Sequence, residues 1–322
     1  MIRNRVPALV GNYTVADRPN DTALHYIVIH ATELSYPETV TRFQTAHQVS
    51  AHAVLRGSDG LVTEMVAPKN IAWHAGNWDM NVRSLGIEQE AFEHDASSFT
   101  APMLRSLAEL ILTWSRKYAI PLDRAHIIGH DNVPGRTSAD QLAMHRDPGK
   151  LFDWQRLFDL LGIATPRIRE PQVGAAVEVV ANVTSVYVSP TTDSALIVPT
   201  DQPAWQHQVS FGQQFVCAAQ QDGWTAIWYG GQIGWVKNPA NQVLTQVPAD
   251  IWQTDAEMTE IYGTTQPDAE PLTTVAAGEQ YVIGQRLTGL QTSEVAGRFQ
   301  AQPTVTQFNQ IWFNHRLAYV RA

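Results

Sequence analysis

The chain has 322 residues, 44% of them apolar, a net charge of -9 and a single cysteine, Cys217. This length exceeds one ordinary core and points to two or three domains, and a lone cysteine excludes an internal disulfide or a cysteine-rich metal site. Both halves carry an acidic surplus, so no nucleic-acid partner is expected, and no run approaches the roughly 18 apolar residues of a membrane span.

The N-terminus has basic residues but no apolar signal region, so a protein acting outside the cell would leave by another route or have lost its signal beforehand. Leu24–Ile29 reads as a buried strand that delivers His30 to its end. Ser35 and Glu38 form a capping-box pattern with Pro37 in the first turn, predicting a helix to about His47. His52–Leu55 and Leu61–Val66 flank Ser58-Asp59-Gly60 as a hairpin. Ser84–Glu90 alternates, with Leu85 and Ile87 on one face and Glu88 and Glu90 on the other. Met103, Leu107, Leu110, Ile111, Trp114 and Tyr118 recur at helical spacing after Thr100 and Pro102, a core-facing stripe. A strand over His126–Gly129 and a helix over Asp153–Leu161, stopped by Gly162, complete the half. Hairpin strands mixed with crossover helices predict an α/β domain with a mixed central sheet flanked by helices.

Two prolines in residues 163–176 mark a linker. Beyond it helical periodicity vanishes and short β-rich runs predict small all-β modules. Three stretches repeat in order: Ser185–Tyr187 with Glu260–Tyr262, Gly212–Val216 with Gly278–Val282, and Ile227-Trp228 plus Gly234–Val236 with Ile311-Trp312 plus Ala318–Val320. The offsets are 75, 66 and 84 residues, so an internal duplication with loops of different length is the simplest account. The six tryptophans of this half, including Trp224, Trp228 and Trp235, suit either a ligand platform or a small aromatic core. Cys217 reads as a buried small hydrophobe.

The turn-rich stretch His126–Trp154 contains two kinds of metal ligand, a histidine and an aspartate. With His30 as a third, a His, His, Asp set with one open position is a catalytic kind of zinc site.

His30, Val49–His52, Ala72–Gly76, Ser84–Glu88, Gly129-His130 and His145–Gly149 followed by Phe152–Trp154 together resemble the zinc-dependent N-acetylmuramoyl-L-alanine amidases related to peptidoglycan recognition proteins. The resemblance runs through six motifs in order over about residues 24–160. The C-terminal modules resemble bacterial SH3-type cell-wall-binding domains, most clearly at Gly234-Trp235-Val236. The implied architecture is an amidase domain over 1–162, a linker over 163–176 and two small all-β SH3-like barrels over 177–245 and 246–322.

The resemblance implies Zn²⁺ held by His30, His130 and Asp147. The family's usual spacing would instead select Asp140, but Asp147 sits in the Asp-Pro-Gly context, and a surface loop tolerates the insertion Thr137–Met144 at small cost. Glu88 is the implied general base, with Glu90 on the same face, and His145 stands where part of the family has an oxyanion-stabilising lysine. His52, Trp73 and His74 are candidates for the substrate groove, each with an alternative packing role; His25, His47, His126, His207 and His315 read as structural or exposed. The expected partner is bacterial peptidoglycan and the expected activity, of endolysin or autolysin type, is cleavage between N-acetylmuramic acid and L-alanine in the cell wall. The alternative is a non-catalytic peptidoglycan-binding protein on the same fold, or a zinc hydrolase of another amide.

Overall fold

A computed structural model describes residues 4–198, 204–255, 257–295 and 298–322. The first half is built on a six-stranded mixed sheet in the order Asn4–Arg5, Val62–Glu64, Ala53–Leu55, Ser84–Gln89, Tyr26–Ala31, Ile127–Gly129. The central Tyr26–Ala31 strand is buried at every position, as its nearly continuous apolar run requires of a strand covered on both faces. It pairs in parallel with Ser84–Gln89 on one side and Ile127–Gly129 on the other. Ala53–Leu55 and Val62–Glu64 form the expected antiparallel hairpin. Gly60 turns it at φ +73°, where a Cβ would meet the Pro102 carbonyl oxygen at 2.5 Å.

One face of the sheet is covered by helices. The Ala101–Tyr118 helix starts at Thr100, whose hydroxyl accepts from Met103 N, and stops at left-handed Ala119. Its Leu107, Ile111 and Trp114 pack with Ile27, Ile29, Leu85 and Ile87, joined by Leu157 and Phe158 of the Trp154–Leu160 helix. The Tyr36–Gln44 helix lies on the other face, where its Phe43 packs with Val54; it has the predicted capping box and ends at Gln44, three residues before His47, where Thr45 turns to extended backbone. Two short helices went unpredicted, Trp78–Arg83 and Ser138–Ala143. Each is six residues long, too short for a periodic stripe to register.

The C-terminal half also packs on the face opposite the Ala101–Tyr118 helix. Tyr26, Val28 and Ile128 join one core with Tyr262, Phe308, Trp312, Leu317 and Tyr319, and Tyr26 Oη donates to Gln310 Oε1 at 2.8 Å. The contact is also polar: the buried Arg83–Asp79 pair, 2.9 Å apart, is satisfied across the junction by Thr265 and the Thr288 carbonyl. A buried charge pair needs such additional partners to offset its desolvation.

This C-terminal half is all-β, as expected. One sheet runs Ile233–Lys237, Trp224–Trp228, Gln214–Gln221, Ala176–Val179, Leu244–Gln246; the other runs Ile251–Gln253, Gln280–Val295, Arg298–Trp312, Leu317–Arg321, Met258–Tyr262, Pro271–Ala276. The pairing registers reproduce the internal repeat residue for residue. Cys217 faces Ile227 as Ile283 faces Ile311. Ile227 faces Gly234 as Ile311 faces Ala318, and Tyr187 bridges Trp235 as Tyr262 pairs with Tyr319. A register shift follows both Cys217 and Ile283. The repeats differ mainly in that the second hairpin is far longer, with strands of 16 and 15 residues. The added length carries Leu290 and Phe299 onto Ile71 and Val82 of the first half, and Trp78 Nε1 donates to Thr292 Oγ1 at 2.8 Å. Among the described residues no helix is long and apolar enough to cross a membrane.

Candidate metal centre and cleft

Alternation along the central strand puts His30 on the same face as Tyr26 and Val28, above the part covered by the C-terminal half. His130 opens the single turn His130–Asn132 directly after the Ile127–Gly129 strand. Asp147 arrives on the loop after the Ser138–Ala143 helix. The three ligand atoms lie within 4.8 Å of one another and all three residues are buried. His30 Nδ1 and His130 Nδ1 are 3.0 Å apart, His130 Nδ1 is 3.1 Å from Asp147 Oδ1, and His30 Nδ1 is 3.3 Å from Asp147 Oδ2. Asp140 is elsewhere, paired with Arg136 at 3.1 Å on the short helix formed by the inserted segment.

The electrostatics of these groups are coupled. Burial works against protonating His30, but Glu88 and Asp147 outweigh it and raise its pKa. Burial dominates at His130 and lowers it to about 4. Burial also opposes ionising Asp147, yet His130 and His30 hold its carboxyl well below the usual carboxylate range. The site therefore holds an ionised carboxylate between two imidazoles.

Behind His30 the ring chain continues. His30 Nε2 is 3.0 Å from His74 Nδ1, and His74 Nε2 is 3.1 Å from Ser84 Oγ. Gly86 makes this possible: a Cβ there would lie 2.5 Å from His74 Cγ. Asn81 Oδ1 accepts from the His74 and Ala75 amides, and Gln89 Nε2 donates to the His30 carbonyl. Such outer contacts fix the orientation of a ligating ring. Asn81 and Gln89 lie outside the motifs that carry the resemblance, and Ser84 opens one of them without a role implied for it there.

The parallel register sets Glu88 directly beside His30. Burial pushes the Glu88 carboxyl up to about 7, with His30 opposing and Asp147 adding to the rise. Its Oε2 is buried with no hydrogen-bond partner among the described residues. Glu90 points elsewhere: its two oxygens accept from Tyr36 N at 2.8 Å and Gly57 N at 2.7 Å, so it holds a helix start and a turn.

His30, Glu88, His130 and Asp147 open into a cleft of about 570 Å³ whose walls include Trp73, His74 and His145. His145 is largely exposed and stacks on His130, ring centroids 4.3 Å apart at 12°. Burial lowers its pKa against the pull of Asp147, which favours the neutral ring. His52 does not line the cleft. It is 0% exposed, accepts from Gly86 N at 2.9 Å and lies 3.1 Å from the Asn70 carbonyl oxygen. Burial and the adjacent Arg18 keep it neutral, and its role is packing. His315, read as structural or exposed, is buried against Asp131 at 2.8 Å.

Residues 20–150 match the N-acetylmuramoyl-L-alanine amidase family. The chain is 30% identical over 173 residues to N-acetylmuramoyl-L-alanine amidase A of Achromobacter lyticus, covering 48% of this chain and 90% of that protein. It is 32% identical over 130 residues to the 1,6-anhydro-N-acetylmuramyl-L-alanine amidase AmpD of Salmonella typhimurium, covering 38% and 63% respectively. A crystal structure of a Se-Met AmpD derivative aligns at 29% identity and a TM-score of 0.39 over 49% of this chain and 93% of that one. The family match spans the strands that carry His30 and Glu88 and the loops that carry His130 and Asp147, and with nine-tenths of the Achromobacter lyticus protein covered at 30% identity the chain belongs to the N-acetylmuramoyl-L-alanine amidase family.

Proposed function

We propose that the chain is a zinc-dependent peptidoglycan amidase, of endolysin or autolysin type, that hydrolyses the amide between N-acetylmuramic acid and the L-alanine of the stem peptide. The observation that carries this reading is the convergence of His30, His130 and Asp147 beside an unpartnered Glu88 oxygen in one cleft.

The donor set fits zinc. Two imidazole nitrogens and a carboxylate oxygen are ligands it accepts, and bonds of about 2.0–2.1 Å in a tetrahedron imply ligand atoms roughly 3.3 Å apart. The separations of 3.0, 3.1 and 3.3 Å are close to that edge. Zinc held there supplies Lewis acidity and a water acidic enough to attack near neutral pH.

The chain's own residues do the rest. Glu88, once ionised, accepts the proton of the attacking water on Oε2 and returns it to the departing amine of L-alanine. His145 donates an N–H to the oxyanion that develops on the scissile carbonyl. Trp73 and His74 wall the cleft against the substrate. The C-terminal repeats act as SH3-like wall-binding modules that hold the enzyme on its polymer, placing its work at the cell wall.

Digestion of purified peptidoglycan followed by mass spectrometry tests the reading. Intact glycan strands and stem peptides with a free N-terminal L-alanine are expected; new reducing sugar ends would refute it.

A further inference from the structure

The turn joining strands Arg298–Trp312 and Leu317–Arg321 belongs to the second C-terminal repeat, yet its tip is buried in the amidase half. Arg316 is 0% exposed and His315 1%. Arg316 Nη1 donates to the carbonyl oxygens of Val133 at 2.7 Å and His130 at 3.3 Å. Its Nη2 donates to those of His145 at 2.8 Å and Met144 at 3.4 Å.

These four carbonyls come from two separate segments. One starts at the ligand His130; the other ends two residues before the ligand Asp147. Neither is held in a sheet, so their separation is not set by a strand ladder. A guanidinium is a rigid planar fork, and its two ends here grip one segment each. His315 anchors the fork: its Nε2 lies 2.8 Å from Asp131 Oδ2, and its carbonyl accepts from Asn132 Nδ2 and Gln213 Nε2, each at 3.0 Å. A single backbone bond, Asp131 N to Asp147 O at 2.7 Å, links the same two segments directly. At the offset of 84 residues the first repeat has Gly231 and Gln232 where the second has His315 and Arg316. The cation is therefore not a requirement of the repeat's own fold.

We infer that Arg316 is a positioning residue of the metal centre, contributed by the C-terminal repeat, which sets the distance between the His130 segment and the His145–Asp147 segment. The second repeat is then part of the amidase site as well as an attachment to it. This inference rests on the metal reading of His30, His130 and Asp147.

Full-length wild type, Arg316→Lys, Arg316→Met and Phe299→Ala are compared in two measurements: amide hydrogen exchange of the metal-free protein over residues 130–134 and 144–147, and zinc affinity by chelator competition. In Arg316→Met both segments lose protection together, zinc affinity falls about 10- to 100-fold, the range for outer-shell partners, and kcat falls while KM holds. Arg316→Lys, a point cation without the fork, lies between. Phe299→Ala removes a hairpin contact away from both segments, so it lowers Tm and leaves zinc affinity unchanged. Wild-type exchange and affinity in a folded Arg316→Met or Arg316→Lys overturn the proposal. An equal loss of affinity in Phe299→Ala also overturns it, because Arg316 would then act only through general stability. If wild type takes up no zinc, the metal reading fails, and the exchange of the two segments decides the clamp by itself.

Discussion

His30 and Glu88 stand opposite each other in the register of two parallel strands, so the sheet itself sets a candidate ligand beside the candidate base. Rigid elements place functional groups more reproducibly than loops do. Glu88 is pushed up to about 7 by burial, and it must be ionised to accept a proton, so kcat falls as pH falls. A metal cation nearby favours the carboxylate, which places the acid limb of the loaded enzyme below 7. Glu88→Gln keeps zinc bound and loses about 10² to 10⁴-fold in kcat. Steady-state kinetics with zinc analysis check this; near-full activity with zinc retained would remove Glu88 from the role.

The aspartate choice is testable by composition. Asp147→Ala takes away one of three convergent ligand atoms, whereas Asp140→Ala takes away only an ion pair with Arg136 on a partly exposed helix. Elemental analysis is expected to find zinc lost in the first variant and kept in the second. The reverse order would reassign the ligand.

Much of this was readable from the residues because the signals were local. The capping box at Ser35, the stripe from Met103 to Tyr118 and the alternation at Leu85 and Ile87 each depend on neighbours a few positions away. The duplication was legible too, since aromatic and glycine positions recur in the same order although the offset varies with loop length, and the paired registers of Ile227 and Ile311 reproduce it. Periodicity marks which faces are buried, but not what covers them. The packing of Val28 and Tyr26 against Trp312 and Tyr319, and the reach of Arg316 into the amidase half, join residues more than a hundred positions apart without a motif. His52 illustrates the same limit: its motif placed it beside the site, and only the packing around Gly86 and Asn70 shows it beneath the cleft.

Glu178 gives a pH-dependent prediction away from the metal. It sits at the junction of the two halves, accepting from Gln214 Nε2 at 2.8 Å, and burial raises its pKa above the usual glutamate value against the pull of that hydrogen bond, with Asp123 adding to the rise. A raised acid binds its proton more tightly when folded, so stability falls as pH rises from the unfolded pKa through the folded one, and the cost is complete above it. Glu178→Gln, which keeps an acceptor for Gln214, therefore has a higher Tm than wild type at pH 8 and an equal one below pH ~4. Thermal denaturation across pH checks the sign; an equal difference at both ends would remove titration as the cause.

The central claim is that one metal ion at His30, His130 and Asp147 is what the amidase needs to hydrolyse peptidoglycan. Its most direct test is a titration of zinc into metal-depleted protein while the release of stem peptides is followed. The account predicts activity that rises from background in proportion to bound zinc and levels off at one equivalent. Full activity before any zinc is added, or a break at another stoichiometry, would contradict it.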